Sequence, residues 1–338
     1  MRENIRIKTM SDLDKKWPVI IIGGGPCGIA AGAELKRRGI ESLIIEKGSV
    51  TESIRNYPKR MRFFSTAENI EIAGIPFATS NVKANRNEAL QYYRKVALYF
   101  KLQFKLNCEV LGTEKDTNGI FRLRTTCGDF RAEKVILATG YFDIPRMLNI
   151  PGEQSKNVAH YYKEPYAHSF QNVTIIGGGN SAIEAALELY RHDVKVTMLV
   201  RGDDLKPTAK YWLVPDIKNR IKEGKIKLIT HAVATSINEN FVEYSKDGKT
   251  HKLNSDFVYA LIGYLPSEEL MQKCGLNPDP KTLLVDYDRA SFETPVEGLF
   301  MCGTVLAGVR TERVFIENGR DHAVAIADTI ANKESELA

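Results

Sequence analysis

Two stretches of the chain repeat one pattern of apolar and polar positions. Residues 19–48 read VIIIGGGPCGIAAGAELKRRGIESLIIEKG, and residues 173–202 read VTIIGGGNSAIEAALELYRHDVKVTMLVRG. They align without a gap at an offset of 154 positions, 173 minus 19. Each opens with a short β-branched run, as suits a buried parallel strand. Glycines follow, then apolar residues at helical spacing, then a second apolar run. The pattern predicts strand–turn–helix–strand twice over, an α/β chain with a duplicated nucleotide-binding unit.

The glycines of such a turn have separate jobs. Gly23 and Gly177 permit the sharp bend. Gly25 and Gly179 let a pyrophosphate approach the backbone, and Gly28 and Ala182 allow close packing of helix on strand. The helix N-terminus then presents unpaired N–H groups to the phosphate. The two units part at the end of their second strands. Glu46 stands 23 positions after Gly23, where a carboxylate accepts the ribose hydroxyls of an unphosphorylated adenosine, as in FAD or NAD. The matching position of the second unit is Val200, followed by Arg201, an arrangement that favours the 2′-phosphate of NADPH. Lys206 and Lys210 are candidates for further positive charge there.

Composition narrows the class. The chain has 338 residues, 43% hydrophobic and 26% charged, enough for about two domains of a globular protein. Its net charge of +5 is spread among interleaved acids rather than gathered in a stripe, which argues against a nucleic-acid partner. No apolar run approaches the ~20 residues of a membrane span. The N-terminal sequence MRENIRIKTMSDLDKKW is polar and lacks the apolar core of a signal peptide, so a cytoplasmic protein is expected. No two of the five cysteines lie within four residues of each other, so neither a C-x-x-C dithiol nor a C-x-x-C metal site is expected, and the odd count in a chain read as cytosolic argues against a disulfide framework.

Three further stretches extend the picture: VILATGYFDIP (135–145), FVYALIGYLP (257–266) and VEGLFMCGTV (296–305). With the paired turns they resemble the thioredoxin-reductase-like flavoproteins with two dinucleotide-binding domains. The resemblance implies an α/β fold of two Rossmann-like domains of the three-layer ββα type. Residues 1–143 and 263–338 would form an FAD domain, with an NADPH domain, residues 144–262, inserted. Two departures stand out. Gly303-Thr304 replaces the Gly-Asp whose aspartate holds the ribityl chain in that family, and His160 and Lys163 occupy the slots of its C-x-x-C. The chain is closer to the bacilliredoxin reductases (bacillithiol-disulfide reductases), which share the plan without the dithiol. That match is carried by GGGPCG (23–28), SIRNYP (53–58), FFSTAENIEIAGIPF (63–77), RNEALQYYR (86–94), HYYKE (160–164) and FIENG (315–319).

The resemblance implies an NADPH-oxidising FAD enzyme that passes hydride to flavin and then reduces bacillithiol disulfide or a bacilliredoxin mixed disulfide, as a homodimer. FAD contacts would come from Gly23, Gly25, Pro26, Cys27, Gly28, Glu46, Lys47, Val110, Ala138, Thr139, Gly140, Gly303, Thr304 and Phe315. NADPH contacts would come from Gly177, Gly179, Asn180, Ser181, Ala182 and Arg201. Cys27 is that family's proposed redox residue. Two readings of it stand side by side: a thiolate poised at a helix N-terminus, or a small residue in a slot where related flavoproteins carry alanine. The same choice applies elsewhere. Tyr57 to Ser65 either line the flavin or pack in a second layer, Arg86, Arg94 and Lys95 form either a basic docking edge or a solvated helix face, and His160 is either a proton donor or structural. Glu317 and Asn318 open a last helix whose dipole would face the flavin pyrimidine. Rival functions are a ferredoxin–NADP reductase of the same plan, a flavin monooxygenase and a redox-sensing FAD/NADPH module.

Overall fold

The computed structural model describes residues 15–337; residues 1–14, most of the polar stretch behind the cytoplasmic expectation, lie outside them. Along the chain run β1 (Lys16–Ile22), α1 (Pro26–Arg37), β2 (Ser42–Ile45), α2 (Glu52–Arg55), α3 (Arg86–Tyr99), β3 (Gln103–Lys105), β4 (Val110–Lys115), β5 (Phe121–Thr125), β6 (Gly128–Leu137) and the short β7 (Ile144–Pro145). Then come β8 (Val158–Ala159), β9 (Asn172–Ile176), α4 (Asn180–Tyr190), β10 (Lys195–Leu199), α5 (Val214–Lys222), β11 (Ile226–Ile229), β12 (Val233–Ile237), β13 (Phe241–Lys246), β14 (Lys249–Asn254) and β15 (Phe257–Ala260). The chain continues through β16 (Tyr264–Leu265), α6 (Glu268–Lys273), β17 (Leu299–Met301) and α7 (Ile316–Leu337).

The described residues fall into two compact units. One contains the chain up to Arg55, Ser65–Ile144 and the part from Tyr264 onward; the other contains Asn56–Phe64 and Pro145–Gly263. Both are Rossmann-like α/β folds. Residues 56–64 join the second unit, whereas the expected division left them with the first. Their own contacts explain it. Phe64 stacks on Trp212 with centroids 5.8 Å apart. Lys59 Nζ lies 2.5 Å from Glu164, and Lys210 Nζ donates to the carbonyl of Arg62 at 2.6 Å. Residues 57–64 of the aromatic run therefore pack within the second unit.

In the first unit β3, β2, β1 and β6 lie side by side in parallel, and β6, β5 and β4 continue the sheet in antiparallel fashion. The last three residues of β6 also pair in parallel with β17, which brings the late glycine motif to the edge of the first turn. Alternate residues of β1 serve the two faces. Ile20 and Ile22 join a core with Phe121, Phe130 and Leu299. Ile21 instead faces α1 at Gly32, where a Cβ would fit tightly, 3.2 to 3.5 Å from the side-chain ends of Ile44, Leu102 and Ile21. Helix α3 begins at a capping box, Asn85 with Glu88, and buries Ala89, Tyr92, Tyr93, Val96 and Ala97, the spacing of one helical face.

The second unit has three layers. Its middle layer is a parallel sheet in the order β11-β10-β9-β15-β8. One core, with Ile175, Ile183, Leu187 and Ile217, lies under α4 and α5. The other, with Ile176, Leu199, Val242 and Val258, lies under the antiparallel meander β12-β13-β14. Strands buried on both faces need continuous apolar runs, which is why β9 and β10 lack a polar alternation. No helix among the described residues is long and apolar enough to cross a membrane.

Candidate functional site

The first turn is shaped from both sides. Gly23 has φ +108°, and a Cβ there would meet the carbonyl oxygen of Ala138 at 2.5 Å. At Gly28 a Cβ would fall 2.0 Å from the carbonyl oxygen of Gly23. Gly25 differs: its backbone is ordinary extended chain, and a Cβ would meet nothing within 4 Å. The protein's own packing does not require a glycine at 25. Pro26 opens α1, no side chain caps the helix and no acid stands in its first turn, so its leading N–H groups are left for an anion.

Glu46 closes the turn from the side. One carboxylate oxygen accepts the Gly24 N–H at 2.6 Å and the other accepts the Gly48 N–H at 2.8 Å. Burial raises its pKa, and those two N–H groups oppose the rise. Beside it Lys47 pairs with Asp143 at 3.0 Å. Val110 is buried in the core at the start of β4, with its backbone in register with Thr125.

The thiol of Cys27 lies against Gly303 and Gly319. Its Sγ lies 2.6 Å from where a Cβ on Gly303 would stand and 2.9 Å from one on Gly319. Only two glycines leave space for it. Burial pushes the thiol up from 9.0 to about 12, so the dipole of α1 does not set the balance. Cys302, also fully buried, directs its thiol to the Cys27 carbonyl at 3.8 Å and to that of Gly319 at 3.9 Å.

Around this slot the late motif and the last helix converge. Gly140, with φ +69°, would place a Cβ 3.2 Å from the Thr304 hydroxyl, so the ATG turn (138–140) and Gly303-Thr304 face each other. The Gly303 N–H donates to His322 Nδ1 at 3.2 Å. Burial lowers the pKa of His322 to about 4, and Phe292 stacks on its ring with centroids 4.2 Å apart. Sequence reasoning missed His322; its one signal is its place one helical turn after the FIENG motif. The same motif starts α7, where the Phe315 N–H donates back to Asn318 Oδ1 at 2.7 Å.

The second turn repeats the first with different ends. Gly177 has φ +133°, and a Cβ would meet the Leu261 carbonyl oxygen at 2.4 Å. At Gly179 the nearest atom to a Cβ is the flexible Cδ of Lys206, 3.6 Å away. Ala182 fits where the first unit needs Gly28. Val200 packs on Gly178 as Glu46 packs on Gly24. Arg201 follows, exposed. The chain after it folds over the turn, with the Lys206 N–H donating to the Gly178 carbonyl at 2.8 Å and the Lys210 N–H to Asn180 Oδ1 at 2.7 Å. Ser181 follows Asn180 in the first turn of α4. Lys210 brings no free charge: its buried Nζ pairs with Glu184 at 2.6 Å. His160 lies 3.7 Å from Glu153 within this unit.

The family described as pyridine nucleotide-disulphide oxidoreductase matches residues 20–303. The chain is 38% identical over 317 residues to Bacilliredoxin reductase Bdr of Bacillus subtilis (strain 168), covering 94% of this chain and 98% of that protein. Its fold matches the Bacillithiol Disulfide Reductase Bdr from Bacillus cereus with a TM-score of 0.92 and 39% identity, over 94% of this chain and all of the other. A thioredoxin reductase of T. acidophilum shares the fold, with a TM-score of 0.76 and 21% identity over 95% of this chain and 100% of that one.

Proposed function

The chain belongs to the pyridine nucleotide-disulphide oxidoreductases, in their bacilliredoxin-reductase branch, and from that premise we propose that it uses NADPH and FAD to reduce bacillithiol disulfide or a bacilliredoxin mixed disulfide. As a family member it is an oxidoreductase acting on a disulfide, with a flavin and a nicotinamide cofactor. The reading also takes it to work in the cytoplasm as a homodimer. One observation carries the cofactor assignment. The two turns share an open glycine, Gly25 and Gly179, yet close on Glu46 in one unit and on Val200 with Arg201 in the other.

When bound, the flavin supplies two-electron transfer between the nicotinamide and the disulfide. The chain's part is to hold and orient. The Gly25 backbone and the leading N–H groups of α1 would take the FAD pyrophosphate, and Glu46 the adenosine ribose. At the second turn Gly179, Asn180 and Ser181 would take the NADPH pyrophosphate, and Arg201 its 2′-phosphate. Thr304 offers a hydroxyl where the related aspartate is missing. His322, neutral above pH 4, fixes the Gly303 N–H. Two electrons and two protons convert one disulfide into two thiols.

Cys27 as seen here fills space between Gly303 and Gly319. A redox role requires its Sγ to leave that slot and lose its proton. This burial favours one second reading, a ferredoxin–NADP reductase of the same plan, which needs no cysteine. The test is stopped-flow reoxidation of NADPH-reduced enzyme by bacillithiol disulfide, bacilliredoxin mixed disulfide, thioredoxin, ferredoxin and oxygen. The proposal expects the first two to be fastest; ferredoxin outpacing both would replace it. Arg201→Ala is expected to cut the preference for NADPH over NADH by about 10-fold or more, the value of a charge-assisted phosphate contact.

A further inference from the structure

Away from both turns, two cysteines separated by 19 positions (127 minus 108) meet at one hydroxyl, one through its thiol and the other through its backbone N–H. Cys108 precedes β4 and is fully buried. Its thiol donates to Thr125 Oγ1 at 3.2 Å. Cys127 sits in the turn between β5 and β6, half-buried, and its N–H donates to the same Oγ1 at 3.0 Å. The Cys127 thiol points to the carbonyl of Asn107, 3.6 Å away and adjacent to Cys108. Cys127 also packs on the apolar cluster that contains Cys108. Two hydrogen bonds between the segments fix this proximity. The Thr126 N–H donates to the Glu109 carbonyl, and the Glu109 N–H to Thr126 Oγ1, each at 2.9 Å.

We propose that Cys108 and Cys127 form an oxidisable dithiol that closes to an intramolecular disulfide when a low-molecular-weight disulfide reaches Cys127. In the first step Cys127 gives up its proton and its sulfur attacks one sulfur of the small disulfide. The S–S bond breaks, and one thiol leaves with a proton. In the second step the Cys108 sulfur, also losing its proton, attacks Cys127 Sγ and expels the second thiol. Two protein thiols lose two electrons, and one small disulfide gains them. The order follows from access. Burial pushes the Cys108 thiol up to about 11, so the more exposed partner opens the exchange and the buried one resolves it. The bond would clamp a segment that already holds the Glu46 strand end. The Cys108 N–H donates to the Glu46 carbonyl at 3.0 Å and the Asn107 N–H to that of Gly48 at 3.1 Å.

The test treats the holoprotein with 2-hydroxyethyl disulfide, blocks remaining thiols and maps peptides by mass without reduction. This readout is independent of turnover, so it stands apart from the function proposed above. Wild type is expected to yield a peptide linking Cys108 to Cys127 and no retained hydroxyethyl adduct. Cys108→Ser is expected to keep the adduct on Cys127, and Cys127→Ser to leave Cys108 a free thiol. If Cys108→Ser does not fold, the cross-linked wild-type peptide decides alone. Wild type that keeps the adduct on Cys127, or that leaves both thiols free, overturns the proposal.

Discussion

In the unfolded chain the thiol of Cys27 titrates near 9.0; in the fold, burial pushes it up to about 12. The thiolate fraction near neutral pH therefore falls about a thousandfold on folding. A more basic sulfur is also a better nucleophile, and a Brønsted slope of about 0.4–0.5 returns roughly 15- to 30-fold of that loss. The net expectation is alkylation about 30- to 60-fold slower than in the unfolded chain, with restricted access slowing it further. Bound FAD lowers the rate again, because its pyrophosphate opposes a second negative charge at the helix start. The assay is iodoacetamide labelling at pH 7.5, native and in urea, with the Cys27 peptide followed by mass spectrometry. A native rate within about threefold of the unfolded rate would refute the reasoning, since it would mean the thiol leaves its slot and ionises readily. The same scaling governs attack on a disulfide. The result therefore also weighs a redox Cys27 against one that fills the gap left by Gly303 and Gly319.

Other expectations follow from the same contacts. Gly25→Ala meets no atom within 4 Å, so it should change stability by less than about 1 kcal/mol yet weaken FAD retention, measured by thermal melting and released flavin. Gly28→Ala drives a Cβ to 2.0 Å from the Gly23 carbonyl and should cost about 1–3 kcal/mol with or without flavin. His322 binds its proton more weakly in the fold than in the unfolded chain, so stability present above pH 6.5 is lost as pH falls from 6.5 to about 4. The loss amounts to about 3 kcal/mol, and His322→Gln should flatten that stretch of a urea-denaturation series. Lys210→Met leaves Glu184 without its cation and should destabilise by about 3 kcal/mol. The double variant with Glu184→Leu should recover most of that, read as a thermodynamic cycle.

The sequence alone settled the duplicated strand–turn–helix–strand unit, the one glycine that bends each turn and the unequal acid and base at the strand ends. These features lie within about thirty residues of one another, where strand and helix periods and glycine sterics act locally. What the tertiary structure decided is the company each residue keeps. Cys27, Gly303, Gly319 and His322 meet because β17 pairs with β6 and α7 packs on α1, connections that span most of the chain. The sign of the Cys27 shift belongs there too, for a helix dipole is local while desolvation is set by whatever covers the thiol. Lys210 reads as spare charge until Glu184 is found beside it, and residues 56–64 read as part of the first unit until Phe64 is found on Trp212. Likewise Cys108 and Cys127, unremarkable by spacing, become neighbours only through the register of β4 on β5. Local pattern fixes elements; burial, pairing and charge compensation depend on distances that no linear spacing encodes.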